Sequence, residues 1–288
     1  MKTKIFLLST WAAVIAALII FEYFLADSLG IWATTSAQVV ALLIAFIAFS
    51  LTKSKQKSDF TFTPPPRREV IGSTLVLSGG LLIAMFVRLF MQNIIVLAGL
   101  ELVLIQPHSG SQISFILLAI LLPTFLAEVL HRGIFLPRVM QTFSKDDKEQ
   151  GTRVLLISAA LFAVTALDFA GIFGLFVMGF ALSWVVWRGK SLFVPLIFHI
   201  IYNALVRGEA LLLAAEEPWL IGNFGASMDI WQIVGFAFVA IGVATPSLFI
   251  GTKMLNEKKL RDGGETFSLI LVTLILLLIG VSISFFAR

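Results

Sequence analysis

The sequence contains no cysteine among its 288 residues, which excludes disulfides, thiolate metal sites and a cysteine nucleophile. Charge is scarce too. Only 13% of residues are Asp, Glu, Lys or Arg, against roughly 25% in a soluble domain, and this excludes an ordinary soluble enzyme. The net charge of +4 does not imply nucleic acid as a partner, because the basic residues sit between apolar blocks rather than in one patch. With three histidines and two tyrosines, the side chains able to do proton chemistry can be considered one by one.

What is plentiful is apolar sequence: 59% of residues are hydrophobic and the mean hydropathy is +0.99. The apolar residues fall in blocks of about twenty, the length a helix needs to cross a hydrocarbon core roughly 30 Å thick. The predicted fold is therefore an all-α, multi-pass transmembrane helix bundle, a single membrane domain over 1–288. Nine spans are expected, at about 5–25, 31–51, 70–91, 113–137, 153–167, 169–187, 191–206, 230–251 and 267–286. The first run follows Met1-Lys2-Thr3-Lys4, is too long for a signal-peptide core and has no A-x-A-like site after it, so it reads as a retained span. Residues 92–106 are apolar, but Asn93, Glu101 and the following Pro107 make them a poorer span, and they read as re-entrant or interfacial.

Positive charge sets the orientation. With the N-terminus in the cytoplasm and strict alternation, seventeen of the 21 lysines and arginines fall on the inner side. They include Lys4, the cluster Lys53 to Arg68, Arg138, Arg188, Lys190 and Lys253. Asp27, Glu101, Glu209, Glu216, Glu217 and Asp229 collect opposite. The expected location is the plasma membrane. The inner loop 52–69 carries Pro64-Pro65-Pro66, a stiff polyproline II stretch beside basic clusters that meets anionic lipid headgroups.

An ionisable side chain at membrane depth is costly unless paired, which makes each one a functional candidate. Arg88 lies near the outer end of its span and is expected to snorkel outward. Asp168 separates spans five and six and is expected to cap the second helix. Glu128, His131 and Arg132 lie inside span four. Glu128 and Arg132 are four residues apart, share a face and can pair. Span seven holds His199 and Asn203, also four apart on one face. That pair can present an imidazole and an amide to a metal or a polarised carbonyl, or can simply bond across the bundle.

Taken in order, these residues resemble the CPBP family of intramembrane proteases: CAAX prenyl endopeptidases, Abi-type bacteriocin-processing and self-immunity proteins, and lysostaphin resistance protein A. The family pattern is EExxxR, then FxxxH, then HxxxN/D on successive helices. Glu128, Arg132 and Gly133 fit the end of the first motif, Phe162 fits the second, and His199 with Asn203 fits the third. Gly189-Lys190-Ser191-Leu192-Phe193-Val194-Pro195 looks like the family's turn before the last motif. The match covers about 115–206, with 1–112 and 207–288 as flanking spans.

The sequence departs from this pattern at two places. Ala127 stands where the first Glu is expected, and Ala166 where the His of FxxxH is expected. The resemblance assigns those positions to activation of the attacking water, proton transfer worth roughly 10²–10⁴-fold, which alanine cannot perform. Three readings follow. In the first, the chain is a catalytically impaired member, a pseudoenzyme, that acts as membrane scaffold or regulator and binds another membrane protein or a membrane-anchored peptide near His199. In the second, it is an active metalloendopeptidase. Its site is then either rebuilt around Glu128, His131 and His199, with or without Asp168 and with zinc as cofactor, or inactivated only by substitutions at Ala127 and Ala166. The third, a small-solute transporter, is weaker, because no pair of Gly/Pro-interrupted repeats is visible.

Overall fold

The computed structural model describes residues 2–51, 61–99, 116–143, 150–214, 230–256 and 263–286. Among them, nine principal helices appear where nine spans are expected. They are α1 (Lys2–Ile19, continued by a π-helical turn Ile20–Phe24), α2 (Ala33–Ser50), α3 (Arg67–Leu97), α4 (Ile116–Phe143), α5 (Gln150–Thr165), α6 (Ile172–Gly189), α7 (Phe193–Ala214), α8 (Ile230–Leu255) and α9 (Gly263–Phe286). Six of these, α1 to α4, α6 and α8, are long and apolar enough to cross a membrane; α5, α7 and α9 contribute shorter apolar stretches. No strand occurs among the described residues. The molecule is an all-helical multi-pass bundle.

One expectation needs correction. Residues 92–97 are not a separate re-entrant piece but the end of α3, which runs without a break to Leu97. Gln92 and Asn93 are buried there, and Asn93 Nδ2 donates to the Leu89 carbonyl one turn back. The polar side chains thus serve the helix instead of ending it. Residues 100–106 lie outside the described residues.

The ends of the helices alternate as the charge pattern requires. On one side, Lys4 sits over the Phe143 ring at 4.9 Å, and the Thr61 amide donates to Lys190 O at 3.0 Å. Trp187 packs on Gly151 on that same side. On the other side, Tyr23 Oη donates to Leu167 O at 3.4 Å, and Thr35 Oγ1 to Leu118 O at 2.6 Å. The described helix ends that flank the loops expected to be basic therefore lie on one side.

Small residues set the closest approaches. Ala37, Ala41 and Ala45, four apart on α2, are fully buried and let α1 come close. Where α3 crosses α8, a Cβ on Gly251 would stand 2.7 Å from the Gly72 carbonyl, so only glycine fits. Two apolar cores result. One joins α1, α2, α4 and α5 through Leu18, Phe49, Phe135 and Leu161; the other joins α3, α5, α6 and α7 through Leu77, Phe162, Met178 and Tyr202. Large apolar side chains such as Phe46 and Leu278 face outward, as lipid contact demands.

Helix α4 is irregular for an identifiable reason. A proline lacks the amide proton, and its ring crowds the carbonyl four residues back. Pro123 and Pro137 both stand inside α4, and each follows a π-helical stretch, Ile116–Leu121 and Val129–Phe135. The Leu136 amide reaches back five residues to His131 O, the wider turn that accommodates Pro137. This second stretch contains His131 and Arg132.

Candidate active site

Helix α4 and helix α7 run antiparallel, and residues four apart on one meet residues four apart on the other. Glu128 faces His199, whose Nδ1 is 2.5 Å from Glu128 Oε1. Thr124 faces Asn203, whose Nδ2 donates to Thr124 Oγ1 at 2.7 Å. Arg132 closes the group from the same helix, with Nη1 donating to Glu128 Oε1 at 2.8 Å. Glu128 and Arg132 are both 0% exposed. One carboxylate oxygen therefore holds a guanidinium and an imidazole together at the meeting point of the two cores.

Phe162, from α5, fills the centre. Its ring meets His199 and His131 edge-on at 5.2 and 5.3 Å, and the Arg132 guanidinium lies 4.1 Å from its centroid. That last contact is a cation–π interaction away from water. Arg132 Nη2 also donates to Gly179 O on α6 at 3.4 Å. A Cβ at 179 would stand 2.7 Å from the Phe162 ring, so this glycine lets α6 approach the site.

The structure brings Glu128, Arg132, His199 and Asn203 into one constellation with Phe162. His131 is buried beside them, but its Nε2 turns to Thr165 Oγ1 at 3.0 Å. The Thr165 hydroxyl proton is directed to the Leu161 or Phe162 carbonyl, so the bond runs from His131 Nε2–H to the hydroxyl oxygen. Asp168 does not join the group. It pairs with Arg88 and accepts the Gly171 amide at 2.9 Å in the turn before α6, while the N-cap of α6 is Gly171 and carries no side-chain cap, so Asp168 braces the turn and does not cap the helix. Arg88 does not snorkel: it is 7% exposed and pairs inward, because a carboxylate is within reach.

These positions decide how a metal fits. Among the described residues no group of three or more His, Cys, Asp or Glu side chains could hold a metal ion. Glu128 and His199 are spent on each other, His131 points to Thr165, and Asp168 to Arg88. The donor set does not fit zinc.

What remains chemically available is narrow. Glu128 Oε1 accepts two donors, and Oε2 is buried without a hydrogen-bond partner. Facing a carboxylate, His199 carries a proton on Nδ1, and its Nε2 makes no hydrogen bond among the described residues. Nε2 can take a peptide N–H when the ring is neutral, or give a proton to a carbonyl when it is imidazolium. Ala127 is buried on α4, and Ala166 is exposed one residue beyond α5; neither carries a polar atom.

Thr124 and Gly179 were not singled out from sequence. Thr124 had a usable signal, since it lies four residues before Glu128 just as His199 lies four before Asn203. No curated protein and no solved structure matches the chain. Residues 109–205, about a third of the chain, match the family described as type II CAAX prenyl endopeptidase Rce1-like, and the motif positions on α4, α5 and α7 lie within that stretch.

Proposed function

We propose that this protein is a plasma-membrane member of the Rce1-like group that recognises a membrane-anchored peptide, or a segment of another membrane protein, without standard proteolysis. It acts as a scaffold or regulator. The observation that carries the reading is the state of Glu128: its Oε1 is held by Arg132 and His199, and its Oε2 is buried away from solvent water. A general base must reach the proton it abstracts, and positions 127 and 166 offer only methyl groups. His199 Nε2 is left as the contact for an extended backbone.

The test uses purified protein in liposomes with a prenylated peptide bearing a photoreactive group. Cross-linking near α7, abolished by His199→Ala, is expected, with the peptide recovered intact whether or not zinc is added. Absence of any cross-link, or recovery of cleaved peptide, overturns the reading.

The alternative, an active intramembrane endopeptidase, is favoured by one observation. His131 delivers an imidazole to Thr165, the residue next to Ala166, from a different helix than the family pattern uses.

A further inference from the structure

Residues 61–66, Thr-Phe-Thr-Pro-Pro-Pro, form a strap across the site helices. Thr61 pairs with the turn before α7 as a strand would: its amide donates to Lys190 O at 3.0 Å, and its carbonyl accepts the Leu192 amide at 2.8 Å. Ser191 Oγ donates to Thr63 O at 2.7 Å while accepting the Phe193 amide at 3.2 Å, so the strap is tied to the start of the helix that carries His199. Phe62 stacks on Phe125 of α4 at 5.4 Å, beside Thr124 and one turn before Glu128. The strap thus touches the helix of His199 and the helix of Glu128 together.

Two features make this attachment reversible in kind. The strap is mostly exposed, with Phe62 at 43% and Phe125 at 40%, so few buried contacts hold it. The prolines at 64 to 66 have no amide proton, so pairing cannot spread beyond Thr63. The backbone of Lys190–Leu192 meanwhile presents a carbonyl and an amide of the kind that accept an added strand, a common way of holding extended peptides.

We propose that the Lys190–Leu192 edge and the Phe125 ring form the docking edge for an extended segment of a membrane-anchored peptide, and that Thr61-Phe62-Thr63 is the chain's own occupant of that edge. The strap is a tethered competitor: the incoming peptide displaces it, places an aromatic or other apolar side chain on Phe125, and brings its backbone alongside α7 toward His199. This rests on the peptide-binding reading above and adds to it the class of ligand, extended and apolar beside the paired residue, and a means of control.

The absence of cysteine allows a clean test. Thr61→Cys with Ser191→Cys locks the strap when oxidised and frees it when reduced, since paired residues are close enough for a disulfide. In liposomes, a short lipid-anchored peptide carrying benzoylphenylalanine should cross-link to the reduced form and about tenfold less to the oxidised form. Phe62→Ala, which removes the competing ring, should tighten capture by about 2- to 12-fold. Equal capture by oxidised and reduced protein overturns the strap proposal and leaves peptide binding standing. Capture by neither form overturns the peptide-binding reading and the docking edge with it. Hydrogen exchange of the peptide-free protein gives an independent check. The Leu192 amide should exchange about a hundredfold or more faster than amides in the middle of α6; equally slow exchange means that the strap is a fixed part of the fold, and overturns the proposal.

Discussion

His199 Nδ1 and Glu128 Oε1 lie 2.5 Å apart, and the same oxygen takes the Arg132 guanidinium at 2.8 Å. A carboxylate at the centre of a membrane bundle is stable only when its charge is met, and here two helices meet it. The pair within α4 does the larger part, because Arg132 is permanently charged while His199 is charged only when protonated.

Arg132→Leu should therefore leave Glu128 buried with no permanent counter-charge, at a cost of about 3–5 kcal/mol. The expected readout is loss of detergent-stable protein and a much lower midpoint of thermal aggregation. A variant as heat-stable as the parent shows that Glu128 does not depend on Arg132 for its burial.

His131→Phe should be tolerated. The Thr165 hydroxyl keeps its bonds to the Leu161 and Phe162 carbonyls, so no polar atom is stranded. The phenyl ring preserves the stack on Phe135 and the edge contact with Phe162. The cost should stay below about 1.5 kcal/mol, the net worth of one hydrogen bond. Peptide capture should be unchanged; its loss would move His131 from packing into the functional site and favour the rebuilt-site alternative.

Much of the fold was legible because the apolar blocks are as long as a membrane is thick, and because Lys4, Arg188 and Lys190 mark one side. The pairing of Glu128 with Arg132 was legible from a spacing of four. What spacing within one helix does not reveal is which helices meet. Arg88 and Asp168 are 80 positions apart, and each had an acceptable local reading, as a snorkelling end and as a helix cap. Thr124 offered only its spacing of four from Glu128, and it acquires a role only once Asn203 lies opposite. The π-helical stretches were legible in principle, from Pro123 and Pro137 inside one long apolar block, but an ideal helix places Glu128 and Arg132 on one face as well and gives no cause to look.

The Arg88–Asp168 pair fastens α3 to the turn between α5 and α6, and its worth can be measured. Arg88→Leu leaves Asp168 with the Gly171 amide and a partly exposed carboxylate, side chain 18% exposed, so the loss should be smaller than at Arg132, about 1–3 kcal/mol. Adding Asp168→Leu should recover part of it, since two apolar groups replace a desolvated pair at little cost. Thermal unfolding of both single variants and the double variant in one detergent gives the coupling energy. Additive losses would mean that the two charges do not act on each other.

The last prediction concerns the two alanines. Unmodified protein should cleave no prenylated or membrane-anchored peptide, with or without zinc, because Glu128 is fully buried and ion-paired through Oε1, and positions 127 and 166 carry no base. Ala127→Glu together with Ala166→His is the smallest change expected to restore cleavage, as each group would orient the other around the water. Position 127 lies inside α4 beside Glu128, while 166 lies just past the end of α5 in a turn fastened by Tyr23 and Asp168. The new carboxylate thus sits on a rigid helix, and the new imidazole depends on that turn. Either single change should remain inactive, since members of one catalytic unit are strongly non-additive. The double variant should exceed both by roughly 10²–10⁴-fold, the usual worth of positioned proton transfer. The assay is product release from a fluorescent peptide in liposomes, with His199→Ala in the double-variant background as the control that returns activity to zero. Metal-dependent cleavage by the unmodified sequence, abolished by His199→Ala, would overturn this assignment and make Glu128 and His131 the leading catalytic pair.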